Sequence, residues 1–147
     1  MPDTYTCTLM HLVWSTKDRV DLIPADLEND LYAYLGGICR GLDCVLMSAG
    51  GTANHVHLLV SQSKTISLSD LLLNLKRDSS RWMHERVPRF AWQTGYGGFS
   101  IGQSGVEGVR TYIARQKEHH RAVSFEEEFV ELLRRYKVEF DPAKMWD

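Results

Sequence analysis

The run from Cys44 to Ser63 contains no Asp, Glu, Lys or Arg. A membrane-crossing helix needs about 20 predominantly apolar residues. Here Ser48, Gly50, Gly51, Asn54, His55, His57 and Gln62 interrupt the run. It reads instead as two strands, Cys44–Ala49 and Asn54–Ser61, joined by a hairpin turn at Gly50-Gly51-Thr52-Ala53. No membrane segment is expected.

The rest of the chain arranges itself around that hairpin. Tyr5–Thr16 is rich in β-branched and aromatic residues and predicts a first strand. Pro24 to Cys39 predicts a helix, with Leu27, Leu31, Tyr34, Leu35 and Ile38 as its apolar stripe and Gly36-Gly37 weakening its last turn. After the hairpin, Ser67 caps a helix predicted over Leu68–Arg86, and Pro88 stops it. A fourth strand is expected at Gly98–Ile101, then helices over Val106–His120 and Ser124–Tyr136, and a tail over Val138–Asp147. The order β-α-β-β-α-β predicts an α+β chain of the ferredoxin-like, split-βαβ plan. Its antiparallel sheet carries both crossover helices on one face, with two added C-terminal helices. In that plan the first and third strands lie inside the sheet, and the second and fourth form its edges.

Composition narrows the class. The 147 residues are 44% hydrophobic and 24% charged, with no repeat or linker-like run, so a single domain over residues 1–147 is expected. The net charge of −2 argues against a strongly basic, duplex-coating protein. Three cysteines, Cys7, Cys39 and Cys44, form no C-x-x-C pair and suit a reducing compartment. With no leader pattern at the N-terminus, a cytoplasmic location is expected.

Two patterns carry candidate chemistry. In Asn54-His55-Val56-His57 the alternation of a strand puts both imidazoles on one face, about 6.5–7 Å apart. Both can lean on one ion, and they are expected to face an open site and not the core. The pattern alone also fits zinc hydrolases, cupins, or two idle histidines on a half-solvated face. The second pattern is Tyr112 and Gln116, at i and i+4 on one helical face. A phenol is a competent nucleophile beside a metal, and a carboxamide oxygen is a neutral hard ligand of the kind Mg²⁺ or Mn²⁺ accepts. Alone, the pair also fits an amphipathic helix whose tyrosine ring is merely packed.

Together, His55-Val56-His57 and Tyr112-x-x-x-Gln116-x-x-His119-His120 resemble the single-tyrosine transposases of the HUH superfamily, from IS-two-hundred-type bacterial insertion sequences. The first strand's His11-Leu-Val-Trp14-Ser-Thr-Lys17-Asp-Arg19 is similar to the family's opening motif. Leu75–Arg81, Trp92–Ser100 and Ser124–Glu128 also resemble family segments, so the likeness extends over nearly the whole chain.

The resemblance implies a metal-dependent enzyme that cuts and rejoins single-stranded DNA. His55, His57 and Gln116 would bind Mg²⁺ or Mn²⁺, and Tyr112 would attack the scissile phosphate to give a 5′-phosphotyrosine and a free 3′-OH. Tyr96, in a glycine-rich loop, is a weaker nucleophile candidate. DNA contacts are expected from Lys76, Arg77, Arg81, Arg110, Arg115, Lys117 and Arg121, with His11, His119 and His120 in accessory roles. The DNA expected is single-stranded, with hairpins at the element's ends. The family also implies a homodimer whose active sites are shared between subunits, with Gly102 and Gly105 letting the tyrosine helix swing across. Three rivals remain: a domesticated relative acting on chromosomal hairpins, a noncatalytic single-strand-binding regulator, and a small metallohydrolase using only His55 and His57.

Overall fold

The structure is a computed structural model and describes residues 3–146; Asp147, the end of the expected tail, lies outside them. Strands β1 (Leu9–Ser15), β2 (Val45–Thr52), β3 (His55–Ser61) and β4 (Gly97–Ile101) form one antiparallel sheet in the order β2-β3-β1-β4. The two inner strands are the first and third, as the topology requires. Every residue of β1 is buried, because both faces of the sheet are covered.

Strand alternation divides the core in two. Met10, Leu12 and Trp14 of β1 and Val56, Leu58 and Val60 of β3 point to one face. There they meet Leu31, Leu35 and Cys39 of helix α1 (Glu28–Gly41) and Leu71, Leu72, Leu75 and Met83 of helix α2 (Leu68–His84). Each fully buried leucine contributes about 1.5–3 kcal/mol of apolar burial. The other face is covered by helices α3 (Val106–Ala114), α4 (Gln116–His119) and α5 (Phe125–Arg135). On it Leu9 and Leu59 pack with Val106 and Ile113, and Val13 and Phe99 pack with Phe125, Leu132 and Leu133. The architecture is therefore the expected α+β plan, with α1 and α2 on one face and the C-terminal helices on the other.

Several boundaries differ from expectation. β1 starts at Leu9, not Tyr5, because its partners end there: Leu9 pairs with Ser61 on one side and Ile101 on the other. α1 runs through Gly36-Gly37 to Gly41. The predicted turn at Gly50–Ala53 is mostly strand, since Gly50, Gly51 and Thr52 pair with His57, Val56 and His55, leaving Ala53-Asn54 as the connection. The predicted helix Val106–His120 breaks at Arg115, whose φ of −99° and ψ of 17° separate α3 from α4.

Gly50 explains how closely the tyrosine helix sits. A Cβ there would stand 2.4 Å from the Ile113 carbonyl oxygen, so only glycine lets α3 lie against β2. Gly50→Ala is expected to destabilise the fold by about 1–3 kcal/mol, the usual cost of overpacking. Thermal denaturation checks this; an unchanged midpoint would show that α3 does not need the close approach.

Candidate metal centre and its tyrosine

His55 and His57 leave β3 on the same face, as the alternation requires, yet neither side chain is accessible to solvent. The open site expected from sequence is absent because α4 and α5 roof this part of the sheet. Each imidazole is held from behind. Nδ1 of His55 donates to Asn54 Oδ1 at 2.8 Å and to Thr52 Oγ1 at 3.0 Å. Nδ1 of His57 lies 2.8 Å from Nε2 of His11, a neighbour delivered by β1. Both Nε2 atoms are thereby aimed at one point, the arrangement in which outer partners orient metal-binding histidines.

At that point stands Glu128, from α5, which is 2% exposed. Its Oε1 accepts from Nε2 of His57 at 3.0 Å and from Nε2 of His120 at 2.9 Å. Its Oε2 accepts from the Gln116 amide at 3.0 Å and from the Tyr112 hydroxyl. His119 Nε2 lies 3.5 Å from the same oxygen. The residues expected from sequence, His55, His57, Tyr112 and Gln116, are thus brought together within one chain. The carboxylate at their centre was not singled out in the sequence, where Glu128 is one of three consecutive acids. The available signal was its register: Glu128 shares the apolar face of α5 with Phe125, Leu132 and Leu133, an acid where a hydrophobe is due.

The electrostatics follow from these contacts. Burial alone would raise the Glu128 carboxyl, but hydrogen bonds from His120, His57 and Tyr112 override it and hold the group well below the usual carboxylate range. Burial and the Glu128 contact push the Tyr112 phenol up. His120 is raised: burial opposes its charge, but Glu128 and the Val123 carbonyl, an acceptor at 2.6 Å, win. His55 is lowered to about 3, chiefly by burial and then by His57.

A neutral His55 carries its proton on Nδ1, so its Nε2 lone pair faces Gln116 Oε1 at 2.9 Å. The Gln116 amide nitrogen is already committed to Glu128, which fixes that oxygen toward His55. Two acceptors in contact call for a cation. Ligand atoms of His55, His57, His120 and Glu128 lie within 4.8 Å of one another, and this mixed nitrogen and oxygen set can hold a divalent metal ion.

The expected DNA-contacting cations are scattered, and several are already engaged. Lys76, Arg77 and Arg81 lie on α2, across the sheet from the cluster. Lys76 donates to the Gln93 and Gly95 carbonyls, at 2.6 Å each. Arg77 bonds Asp78 and Asn74, Arg110 bonds the Met47 carbonyl, and Lys117 pairs with Glu28 at 2.6 Å. Arg81, Arg115 and Arg121 are exposed. Tyr96 lines clefts beside Phe129 and beside Lys76 and takes no part in the cluster. Gly102 and Gly105 flank a short 3₁₀ turn, after which α3 folds onto its own sheet. Within this single chain the tyrosine helix lies on its own sheet and brings Tyr112 to the cluster.

Stability should follow the buried histidines. His11, lowered to about 3 chiefly by burial and then by His57, and His55 fold as neutral groups but take up protons near 6.5 when unfolded. Their contribution is full above about pH 6.5 and is lost as pH falls toward 3, each at up to about 1.4 kcal/mol per pH unit. Glu128 adds a loss in the same direction below its unfolded value. His120, being raised, contributes in the opposite sense, its part fading as pH rises through its folded value. In EDTA the melting temperature should drop steeply between pH 6.5 and 5, and a flat profile there would contradict the neutral, buried assignment.

Comparison with known proteins bears on the family and the fold. The sequence profile of a family described as "Transposase IS200 like" matches residues 4–116. A "putative transposase" from Deinococcus radiodurans has the same fold, with a TM-score of 0.63 and 22% identity over 79% of this chain and 96% of that one. A REP-associated tyrosine transposase, solved bound to a REP hairpin, superposes with a TM-score of 0.61 and 12% identity, covering 84% of this chain and 74% of that one. No curated protein sequence matches the chain.

Proposed function

Because this chain belongs to the IS200-like transposase family, we propose that it is a single-tyrosine DNA strand transferase, acting on single-stranded DNA with hairpins. The observation that carries the reading is the convergence of Tyr112 and Gln116 on the buried His55/His57 pair through Glu128. A regulator that only binds DNA has no use for a phenol set in a metal centre. A hydrolase using only the two histidines has no use for it either.

His55, His57 and Gln116, joined by Glu128, would hold Mg²⁺ or Mn²⁺. The bound ion supplies Lewis-acid polarisation of a phosphoryl oxygen. The chain's own residues do the rest. The raised Tyr112 phenol keeps its proton at rest and donates it in a hydrogen bond to Glu128 Oε2, which holds the hydroxyl at the cluster. As the Tyr112 Oη–phosphorus bond forms, the bond to the 3′ oxygen breaks, the phenolic proton leaves to water, and the departing 3′ oxygen takes a proton from water in its place. The product is a 5′-phosphotyrosine with a free 3′-OH, and the reverse attack rejoins the strand. Gln116 keeps its carbonyl oxygen toward His55 because its amide is tied to Glu128.

The reading covers a single cytoplasmic domain over residues 1–147 that forms a homodimer through an edge strand, β2 or β4. In the dimer the active sites would be shared between subunits, the connection at Gly102 and Gly105 letting the tyrosine helix pass from its own sheet to the partner's. The hairpin bound to the REP-associated relative favours one variant, a domesticated enzyme acting on chromosomal palindromes. The DNA around the gene separates the two: subterminal hairpins mark a mobile element, dispersed palindromes a domesticated one.

Two outcomes are expected. Tyr112→Phe should abolish the covalent adduct with a labelled single strand carrying the gene's flanking DNA, in Mn²⁺, while retaining binding; a denaturing gel reads it, and a surviving adduct would move the nucleophile elsewhere. Mn²⁺ should raise the melting temperature of the wild-type protein, and that shift should fall at least several-fold in Glu128→Gln and in His57→Ala. If the shift is unchanged in both, the ion binds at another place.

A further inference from the structure

The metal centre is roofed, so a DNA phosphate cannot approach through His55, His57 or Glu128, each 2% exposed or less. Tyr112 is only half-buried, and its ring forms part of the wall of two clefts. One contains Arg115, Glu118 and His119. Its lining carries both an arginine and a carboxylate. The other has a volume of about 330 Å³ and is lined by His11, Gly105, Gly108, Tyr112, Arg135 and Tyr136, among others. That is at the lower end of the roughly 300–1,000 Å³ typical of ligand clefts. Arg135 is the one charged residue in its lining. Its guanidinium has no hydrogen bond or ion pair among the described residues.

We propose that this second cleft is where the scissile phosphate enters, and that Arg135 is its cationic contact beside Tyr112. The inference rests on the strand-transferase reading above and adds to it a residue outside the segment matched to the family, which ends at residue 116. Three features support it. The cleft joins the nucleophile's ring to His11, the residue that holds His57, so a phosphate lodged there borders the metal centre. Arg135 lines the same cleft as both residues, so a phosphate lodged beside Tyr112 lies next to its guanidinium. Third, the cleft's helical wall is bare at Gly108, where an added Cβ would meet nothing within 4 Å. Backbone exposed in this way admits a sugar–phosphate chain. Tyr136, already stacked on Phe99 at 4.7 Å between centroids, stands in the lining as an aromatic surface for a base. Arginine suits the role because its planar fork matches a phosphate's oxygens.

The test measures binding of fluorescein-labelled dT15 in EDTA, across a salt series, for wild type, Arg135→Ala, Gly108→Leu and Arg134→Ala. Working in EDTA separates phosphate contact from the loaded enzyme's activity. Arg134 is the adjacent exposed arginine outside the cleft and controls for overall charge. Arg135→Ala should weaken binding about 5–30-fold at low salt and reduce the slope of log K against log salt by about 0.7, one single-strand phosphate contact. Gly108→Leu, which improves helix propensity while crowding this cleft and the neighbouring one that Gly108 also lines, should weaken binding with no loss of thermal stability. Arg134→Ala should change binding less than two-fold. If Arg135→Ala binds like wild type, or Arg134→Ala loses as much, the inference is overturned while the transferase reading stands. If wild type does not bind the strand at all, the reading itself fails, and this inference with it.

Discussion

A single ionised carboxylate, buried between β3 and three C-terminal helical segments, ties this molecule together. Isolated, a charge at the position of Glu128 would be very costly. Here it accepts from His57, His120, Gln116 and Tyr112, using both oxygens. Removing one partner from such a group leaves desolvated charge behind, which is why broken buried pairs cost several kcal/mol. Each bond also fixes an element: His57 belongs to β3, Tyr112 to α3, Gln116 to α4 and Glu128 itself to α5. The positions of the nucleophile and of the candidate ligands therefore depend on one another.

The sheet supplies the contrast that makes such a centre affordable. Its α1/α2 face is packed with leucine, valine and methionine. Its opposite face interrupts Leu9, Val13 and Leu59 with His11, His55 and His57. Because alternate residues of a strand point to opposite sides, β1 and β3 serve both faces at once. The polar cluster is flanked by apolar contacts, with Phe125 against His55 at 4.6 Å between centroids, and that enclosure keeps His11 and His55 neutral.

The break between α3 and α4 matters for the same reason. Tyr112 lies in the last turn of α3, its carbonyl accepting from the Arg115 N–H that ends the helix, and Gln116 begins α4. After the break both side chains still reach Glu128. The helical spacing of Tyr112 and Gln116 pointed to a shared face, and the structure retains that relation across a backbone that is no longer one helix. Glycine at position 50 lets the first of these helices approach the sheet closely enough for the phenol to arrive.

Local pattern decided much of this in advance. The alternation in Asn54–Ser61 dictated that His55 and His57 share a face, and the hydrophobic periodicities dictated strand and helix order, since both depend only on neighbours along the chain. Helix ends marked by Ser67 and Ser124 were legible for the same reason: a capping hydroxyl acts within a turn. What the pattern did not contain was distance across the fold. The strand limits at Leu9 and Thr52 were set by where partner strands end. The burial of both histidines was set by helices arriving from more than fifty residues away in the chain. Lys76, Arg110 and Lys117 looked like free cations until the backbone carbonyls and the carboxylate that engage them were in place. Glu128 is the sharpest case. In the sequence it is one acid among three, and only tertiary packing, which turns one side of α5 inward, makes it the residue on which the site converges.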